Sequence, residues 1–273
     1  MSVLICPVCG EMLENMGKSY ICPKRHSFDI ARSGYVNLLQ SKHMGKAVHG
    51  DNKLMVQARR GFLNKGYYAP LCEAVCEETL KYAKNSSVVL DAGCGEGFYT
   101  SNIRASFDRS DIAVKMYGID ISKVAVEYAA KRDKSVRFAA ASVFHLPVAS
   151  GSCDMLVTMF APYCGEEYSR VLKKSGVMIM VIPAENHLWE LKKAIYDNPY
   201  RNEVKPYELK GFEHISARRV SFTMELRDSS DIRSLFSMTP YYYKTGRTEQ
   251  ERLEALAELT TQADFEVLTY RKK

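Results

Sequence analysis

The chain has no apolar run near the roughly 20 residues that a bilayer-spanning helix requires, so no membrane anchor is expected. Its first residues, Met1-Ser2-Val3-Leu4-Ile5-Cys6-Pro7, lack both the charged start and the apolar core of an export signal. No large excess of one charge is present: 38 Lys/Arg stand against 32 Asp/Glu, a net +6. Nor is the composition that of a disordered chain. Of 273 residues 46% are apolar, enough for one α/β domain and a small appendage. Together these absences predict a cytoplasmic protein. In that compartment eight cysteines point to metal ligation rather than disulfides, the more so because three fall within the first 22 residues.

What is present is unevenly distributed. Residues 1–66 hold ten Lys/Arg against four Asp/Glu, whereas the remainder is balanced at 28 against 28, so the N-terminal part is the candidate to face a polyanion. Cys6-Pro7-Val8-Cys9 and Cys22-Pro23-Lys24-Arg25-His26 form two short-gapped ligand pairs separated by twelve residues. Gly17 supplies a turn between them and Tyr20-Ile21 a return strand. That is the spacing of a tetrahedral site. A histidine as fourth ligand favours zinc over an iron–sulfur cluster, and four protein ligands leave no open position, which makes the site structural. Ser27–Ile30 and Gly34–Leu39 read as short strands. Lys24 and Arg25 can meet phosphates, while Phe28 and Tyr35 either stack unpaired bases or seal a module too small for its own core. Residues 1–40 are therefore read as a zinc-binding RNA-recognition module.

Residues 41–86 read as a basic linker, polar and Gly-punctuated over Gln40–Asn52, followed by two helices leading into the sheet. The first places Met55, Ala58, Phe62 and Leu63 on one side, with Arg59, Arg60 and Lys65 elsewhere, and stops near Gly66. Arg59 and Arg60 join the RNA-contact candidates. The second runs around Leu71, Val75 and Leu80.

Residues 87–273 carry the strongest signal. Val88-Val89-Leu90-Asp91 is an apolar strand running into Gly93-Cys94-Gly95-Glu96-Gly97-Phe98, with a helix starting near Tyr99. The glycines allow a tight turn and close approach of a ligand to the main chain. The spacing differs from a pyrophosphate-binding loop, and Asp91 beside it repels phosphate but attracts the ammonium of a methionyl group. Met116–Asp120 is a second strand ending in an acid able to accept both ribose hydroxyls of an adenosine. Strands Val136–Ala141, Cys153–Phe160 and Gly176–Pro183 follow, with helices between them, and His214–Leu226 and Ala263–Tyr270 finish the sheet as an antiparallel pair. The fold class is α/β, a doubly wound sheet of the class I methyltransferase type with a small N-terminal zinc module.

Taken as a whole, the chain resembles the RlmA family of 23S ribosomal RNA (guanine-N1)-methyltransferases. The residues that carry the likeness are Cys-Pro-Val-Cys, Cys-Pro-Lys-Arg-His-Ser-Phe-Asp, Gly34-Tyr-Val-Asn-Leu-Leu, Gln57-Ala-Arg-Arg, Asp91-Ala-Gly-Cys-Gly-Glu-Gly-Phe-Tyr, Phe160-Ala-Pro, Pro183-Ala-Glu-Asn-His-Leu and Ser237-Met-Thr-Pro. The resemblance implies zinc at Cys6, Cys9, Cys22 and His26. It implies S-adenosylmethionine contacts from the loop Gly93, Gly95, Glu96, Gly97 and Phe98, with Asp91 and Asp120, and from Tyr68 and His187. It further implies a homodimer whose zinc modules border a cleft for an RNA hairpin. Ser142 departs from the wider methyltransferase pattern, in which an Asp binds the adenine amine. Glu185-Asn-His-Leu with Ser237-Met-Thr-Pro is closer to the macrolide (tylosin)-resistance branch. For the chemistry, Glu185 and His187 lie on the expected catalytic edge, and Phe160 and Pro162 fall where related folds hold the target base. Two other readings compete. A small-molecule methyltransferase of the quinone or sterol type leaves the zinc module without a task. A non-enzymatic zinc RNA-binding protein is opposed by the intact Asp91, glycine loop and Asp120.

Overall fold

The computed structural model describes residues 2–40, 50–204, 207–243 and 245–273. Most of the expected basic linker, 41–49, lies outside the described residues. The main domain is an eight-stranded sheet built on five parallel strands. Four of these, β5 (Val88–Ala92), β6 (Lys115–Asp120), β7 (Arg137–Ala140) and β8 (Cys153–Met159), are followed by β9 (Leu172–Pro183). The hairpin β10 (Phe212–Leu226) and β11 (Leu259–Lys272) closes one edge antiparallel, giving the order β10-β11-β9-β8-β5-β6-β7. At the opposite edge β4 (Val36–Asn37), from the N-terminal segment, pairs parallel with β7. The zinc-bearing segment is thus an edge of the sheet and not a detached appendage; its own three-stranded ribbon is β1 (Glu14–Asn15), β2 (Ser19–Ile21) and β3 (Ser27–Asp29).

Successive side chains on a strand point to opposite faces, and this sorts the core into two layers. Val89, Met116, Phe138, Met155 and Ile179 belong to one apolar cluster; Leu90, Tyr117, Ala139, Leu156 and Met178 belong to the other. Helices cover the first. They are α1 (Lys53–Asn64), α2 (Ala69–Leu80), α3 (Phe98–Arg109), α4 (Lys123–Arg132), α6 (Trp189–Ile195) and α7 (Ser229–Ser237), the last with α8 (Arg247–Glu254) beside it. The Asn52 side chain accepts the Met55 N–H to start α1, and the Ser122 hydroxyl accepts that of Ala125 to start α4.

The second cluster draws only Tyr168 and Val171 from a helix, the short α5 (Gly165–Val171). The zinc segment fills the rest with Val3, Leu4, Cys6, Leu13, Tyr20, Cys22, Val36 and Leu38. One expectation is corrected here. No helix lies between β7 and β8, where the chain runs through Ser142–Ser152 as loop and turn. A crossover helix would cover that face of the sheet; here the N-terminal segment covers it. Ile5 N–H donates to the Pro147 carbonyl at 2.9 Å, Ala149 N–H donates to the Val3 carbonyl at 2.9 Å, and Leu4 bridges Val148. The fifth parallel strand also begins earlier than expected, at Leu172, because Leu172 pairs with Cys153 before the register shifts.

Candidate functional site

Four ligand atoms converge at the N-terminal ribbon. The Sγ atoms of Cys6, Cys9 and Cys22 and a ring nitrogen of His26 all lie within 4.8 Å of one another. Cys6 Sγ is 3.5 Å and Cys22 Sγ 3.4 Å from His26 Nδ1, and the Cys9 and Cys22 sulfurs are 3.7 Å apart. Zinc bonds of about 2.0–2.3 Å in a tetrahedron set ligand atoms roughly 3.3–3.8 Å apart, so the four residues fit that ion. Each pair sits in a tight turn: Gly10 N–H donates to the Cys6 carbonyl, and Arg25 N–H to that of Cys22. Arg25 takes φ 64°, the left-handed conformation the second turn requires. Lys24 and Arg25 are exposed at its tip, with Lys24 Nζ 3.9 Å from a Glu11 oxygen. Phe28 and Tyr35 are only half-exposed and pack on the two apolar clusters, which favours their sealing role over base stacking.

The second site lies at the carboxyl ends of β5 and β6. Gly93, Gly95 and Gly97 all adopt positive φ, at 94°, 54° and 83°. A Cβ on Gly93 would stand 2.3 Å from that of Ala161, and one on Gly97 2.8 Å from that of Ala129, so side chains are excluded on packing grounds as well. Asp91 is buried and accepts a 2.6 Å hydrogen bond from the Thr100 hydroxyl. Burial, with Asp120 nearby, pushes its carboxyl up to about 7 against that hydrogen bond. Asp120 accepts the Gly95 N–H at 3.0 Å and the Ser122 N–H at 2.8 Å, one on each oxygen, while burial raises its carboxyl. It therefore holds the glycine loop and the start of α4 in mutual register. One buried and one half-buried carboxyl, both with raised affinity for protons, suit a ligand bearing an ammonium group and hydroxyl donors.

Two residue expectations change at this loop. Glu96, read as a cofactor contact, is buried; its Oε2 accepts both Arg132 bonds, at 2.6 and 3.1 Å, which fastens the loop to α4, while its Oε1 has no hydrogen-bond partner among the described residues. Arg59, read as an RNA contact, is ion-paired with Asp51 and donates to the Met238 carbonyl at 3.3 Å. Its Nη1 lies 3.8 Å from where a Gly95 Cβ would be, so this guanidinium borders the glycine loop and can meet a carboxylate held there. Arg60 lies over the Tyr128 ring at 4.9 Å and is likewise engaged. The Gln57-Ala-Arg-Arg segment signalled both arginines but not their direction, which depends on how α1 packs against α4 and α7.

Phe98, at the first position of α3, stacks edge-on with Tyr99 at 5.2 Å. Tyr99 was not singled out from sequence, yet its buried hydroxyl has no hydrogen-bond partner among the described residues. Its ring meets Phe160 at 6.5 Å, and Phe160 meets Phe265 at 5.5 Å. Phe160 is half-exposed at φ 56°, a conformation costing roughly 1–3 kcal/mol in a non-glycine residue and concentrated at functional sites. Pro162 is exposed and its carbonyl accepts from Tyr168 at 3.0 Å. Tyr68 is buried between Phe62, Phe265 and His187.

His187 is buried, and its Nδ1 accepts the Asp264 N–H at 3.2 Å, which leaves the proton on Nε2. Burial pulls the ring down to about 3, against Asp264 and with the help of Lys192. A histidine so held is a neutral hydrogen-bond donor whose acceptor nitrogen is already occupied by the Asp264 N–H. Glu185 is exposed and lies 3.6 Å from Arg201.

Comparison with known proteins agrees with this geometry. Residues 4–44 match the zinc-ribbon family model described as "RlmA, N-terminal", and residues 83–238 match a methyltransferase domain. A Bacillus subtilis (strain 168) protein named "Putative 23S rRNA (guanine-N(1)-)-methyltransferase YxjB" is 30% identical, covering 98% of this chain and 96% of its own length. The Streptomyces fradiae 23S rRNA (guanine(748)-N(1))-methyltransferase is 29% identical, covering 97% and 95% respectively. Among solved structures, the YcgJ protein of Bacillus subtilis superposes with a TM-score of 0.50 at 17% identity, covering 74% of this chain and 97% of that one, a likeness of fold. With a Cys/His cluster suited to zinc at one sheet edge and a glycine loop between the Asp91 and Asp120 carboxyls at the strand ends, the chain belongs to the RlmA family of 23S rRNA (guanine-N1)-methyltransferases, enzymes dependent on S-adenosylmethionine.

Proposed function

We propose that this chain methylates N1 of a guanine in a hairpin of 23S ribosomal RNA, and that it belongs to the macrolide (tylosin)-resistance branch. The observation that carries the reading is the union, on one chain, of the zinc cluster and the glycine edge, together with near-full-length similarity to a relative named for guanine 748. When bound, S-adenosylmethionine supplies a methyl group on a sulfonium, open to in-line attack. Such a transfer needs alignment more than strong acid–base groups, and the proton that N1 gives up as the new bond forms passes to solvent water. Asp120 accepts the ribose hydroxyls, Asp91 attracts the methionyl ammonium, and Arg59 faces the carboxylate. Tyr68 and the Nε2–H of His187 line the same edge. The half-exposed ring of Phe160, carried on a left-handed backbone, is the platform for a guanine turned out of its stack. Exposed Lys24 and Arg25 contact phosphates at the zinc tip. The working unit is a homodimer in the cytoplasm, which light scattering of the purified protein checks.

Mapping reverse-transcription stops on 23S rRNA from a deletion strain tests the reading, because a methyl on N1 blocks base pairing. A stop present in wild type, absent on deletion and restored by the gene supports it. No change in the stops would overturn it. Incubation with labelled S-adenosylmethionine and either ribosomal RNA or lipid extract separates it from small-molecule methylation.

A further inference from the structure

We propose that the zinc ribbon forms one wall of the cofactor site: a cavity between the first ligand turn and the ends of β6 and β7 receives the adenine, so zinc and cofactor bind cooperatively. The proposal rests on the cofactor reading above, in which Ser142 holds the adenine position of the wider methyltransferase pattern, and extends it to the ribbon residues Cys6, Pro7 and Gly10. The cavity, about 230 Å³, is lined by Cys6, Pro7 and Gly10 from the ribbon and by Ile121, Ser142 and His145 from the strand ends. Sites for whole ligands of drug size run to roughly 300–1,000 Å³, so this space suits one end of a ligand.

Its position selects which end. Ile121 directly follows Asp120, the acceptor for the ribose, and Ala141 N–H donates to the Asp120 carbonyl at 3.0 Å, bringing the segment before Ser142 alongside. A ribose held at Asp120 therefore presents its base to the cavity. The lining is suited to a purine: Pro7, Leu38, Leu39 and Ile121 are apolar surfaces for its faces, and Ser142 and His145 are polar groups for its edge.

Cys6 belongs to both sites, as a zinc ligand and as a wall of the cavity. The ribbon is also bonded to the loop that carries Ser142 and His145, through Ile5 to Pro147, Leu4 to Val148 and Val3 to Ala149. Loss of zinc releases the turn that closes the cavity. Linkage then requires the reverse: an adenine-bearing ligand must tighten zinc by the same factor.

The experiment uses the full-length, zinc-loaded protein and S-adenosylhomocysteine as probe. Competition with a chromophoric chelator should show zinc held roughly 5- to 150-fold more tightly with the probe at saturation, the usual span of such couplings. Pro7→Trp and Ser142→Trp, which fill the cavity from opposite walls, should each weaken the probe about tenfold or more in calorimetry, with one zinc per chain retained. Zinc affinity indifferent to the probe, or folded variants that bind it like wild type, would overturn the proposal. Failure of the underlying cofactor reading looks different: wild type would not bind the probe, or Asp120→Ala would bind it unchanged.

Discussion

The two faces of the central sheet are covered by different materials. One carries helices whose apolar stripes bury Phe62, Leu71, Ile103 and Val126. The other carries a zinc ribbon whose short strands, of two or three residues each, could not form a core alone. The helical face is self-sufficient in hydrogen bonds, since helices satisfy their own backbone. The ribbon face depends on a metal to hold its turns and on the β7–β8 loop to complete its pairing. The lesson is that a sheet face with no crossover helix need not stay open. A small metal-bound segment can serve as the missing layer, and its folding then becomes part of the enzyme's.

The largest test of this contrast is removal of residues 2–40. Were the ribbon an independent recognition module, the remainder would stay folded and bind S-adenosylmethionine within a few-fold of wild type. The core argues otherwise. Val3, Leu4, Leu13, Tyr20, Val36 and Leu38 are buried, and at about 1.5–3 kcal/mol each they contribute roughly 9–18 kcal/mol. That equals or exceeds the total stability of about 5–15 kcal/mol for an ordinary domain. The truncated chain should show no cooperative melting transition in calorimetry, and a sharp transition would restore the independent-module picture.

A finer comparison sets one buried leucine on each face against the other. Leu4→Ala and Leu71→Ala remove side chains that are 1% and 0% exposed, and each should cost about 2–5 kcal/mol in urea unfolding. Only Leu4→Ala should also hasten zinc loss to a chelator. Equal zinc retention in both variants would show that the ribbon and the sheet are not mechanically joined.

At the strand ends, Asp120→Ala removes acceptors for the Gly95 and Ser122 N–H groups as well as for the ribose. Loss of charge-assisted hydrogen bonds of about 1.5–3 kcal/mol should weaken S-adenosylhomocysteine roughly 10- to 150-fold in calorimetry. Zinc content should remain one per chain.

The last contrast is electrostatic, is felt only in acid, and belongs to the helical side alone. His187 falls from its ordinary value near 6.5 to about 3 on folding. Between these values the unfolded chain binds a proton that the native chain refuses, so its contribution to stability is full above pH 6.5 and is lost as pH falls toward 3. His187→Gln keeps an acceptor for the Asp264 N–H, and its stability should fall less steeply over that window. Parallel pH–stability curves for the variant and wild type would show that the ring is not buried neutral.

Some of this was legible in the residue order. The ligand spacing Cys6, Cys9, Cys22 and His26 is short-range, and a tight turn leaves its two ligands little choice of direction. The strands around Val88–Asp91 and Met116–Asp120 show as apolar runs ending in an acid, because both faces of those strands are buried. The antiparallel pair at the C-terminal end showed as well, although β10 is largely exposed and mixes apolar with charged residues. Tertiary structure alone decided that β4 would join the sheet at β7, that no helix would follow β7, that Glu96 would bind Arg132 and that Arg59 would turn toward the glycine loop. It also decided that His187 would be neutral. Each of these depends on a partner remote in sequence: Arg132 for Glu96, Gly95 for Arg59, Asp264 for His187, and the β7–β8 loop for the ribbon. Local spacing determines which conformations a segment can adopt. Which of them it does adopt, and what its charges meet, is set by the apolar surface and unpaired backbone that the rest of the chain leaves uncovered.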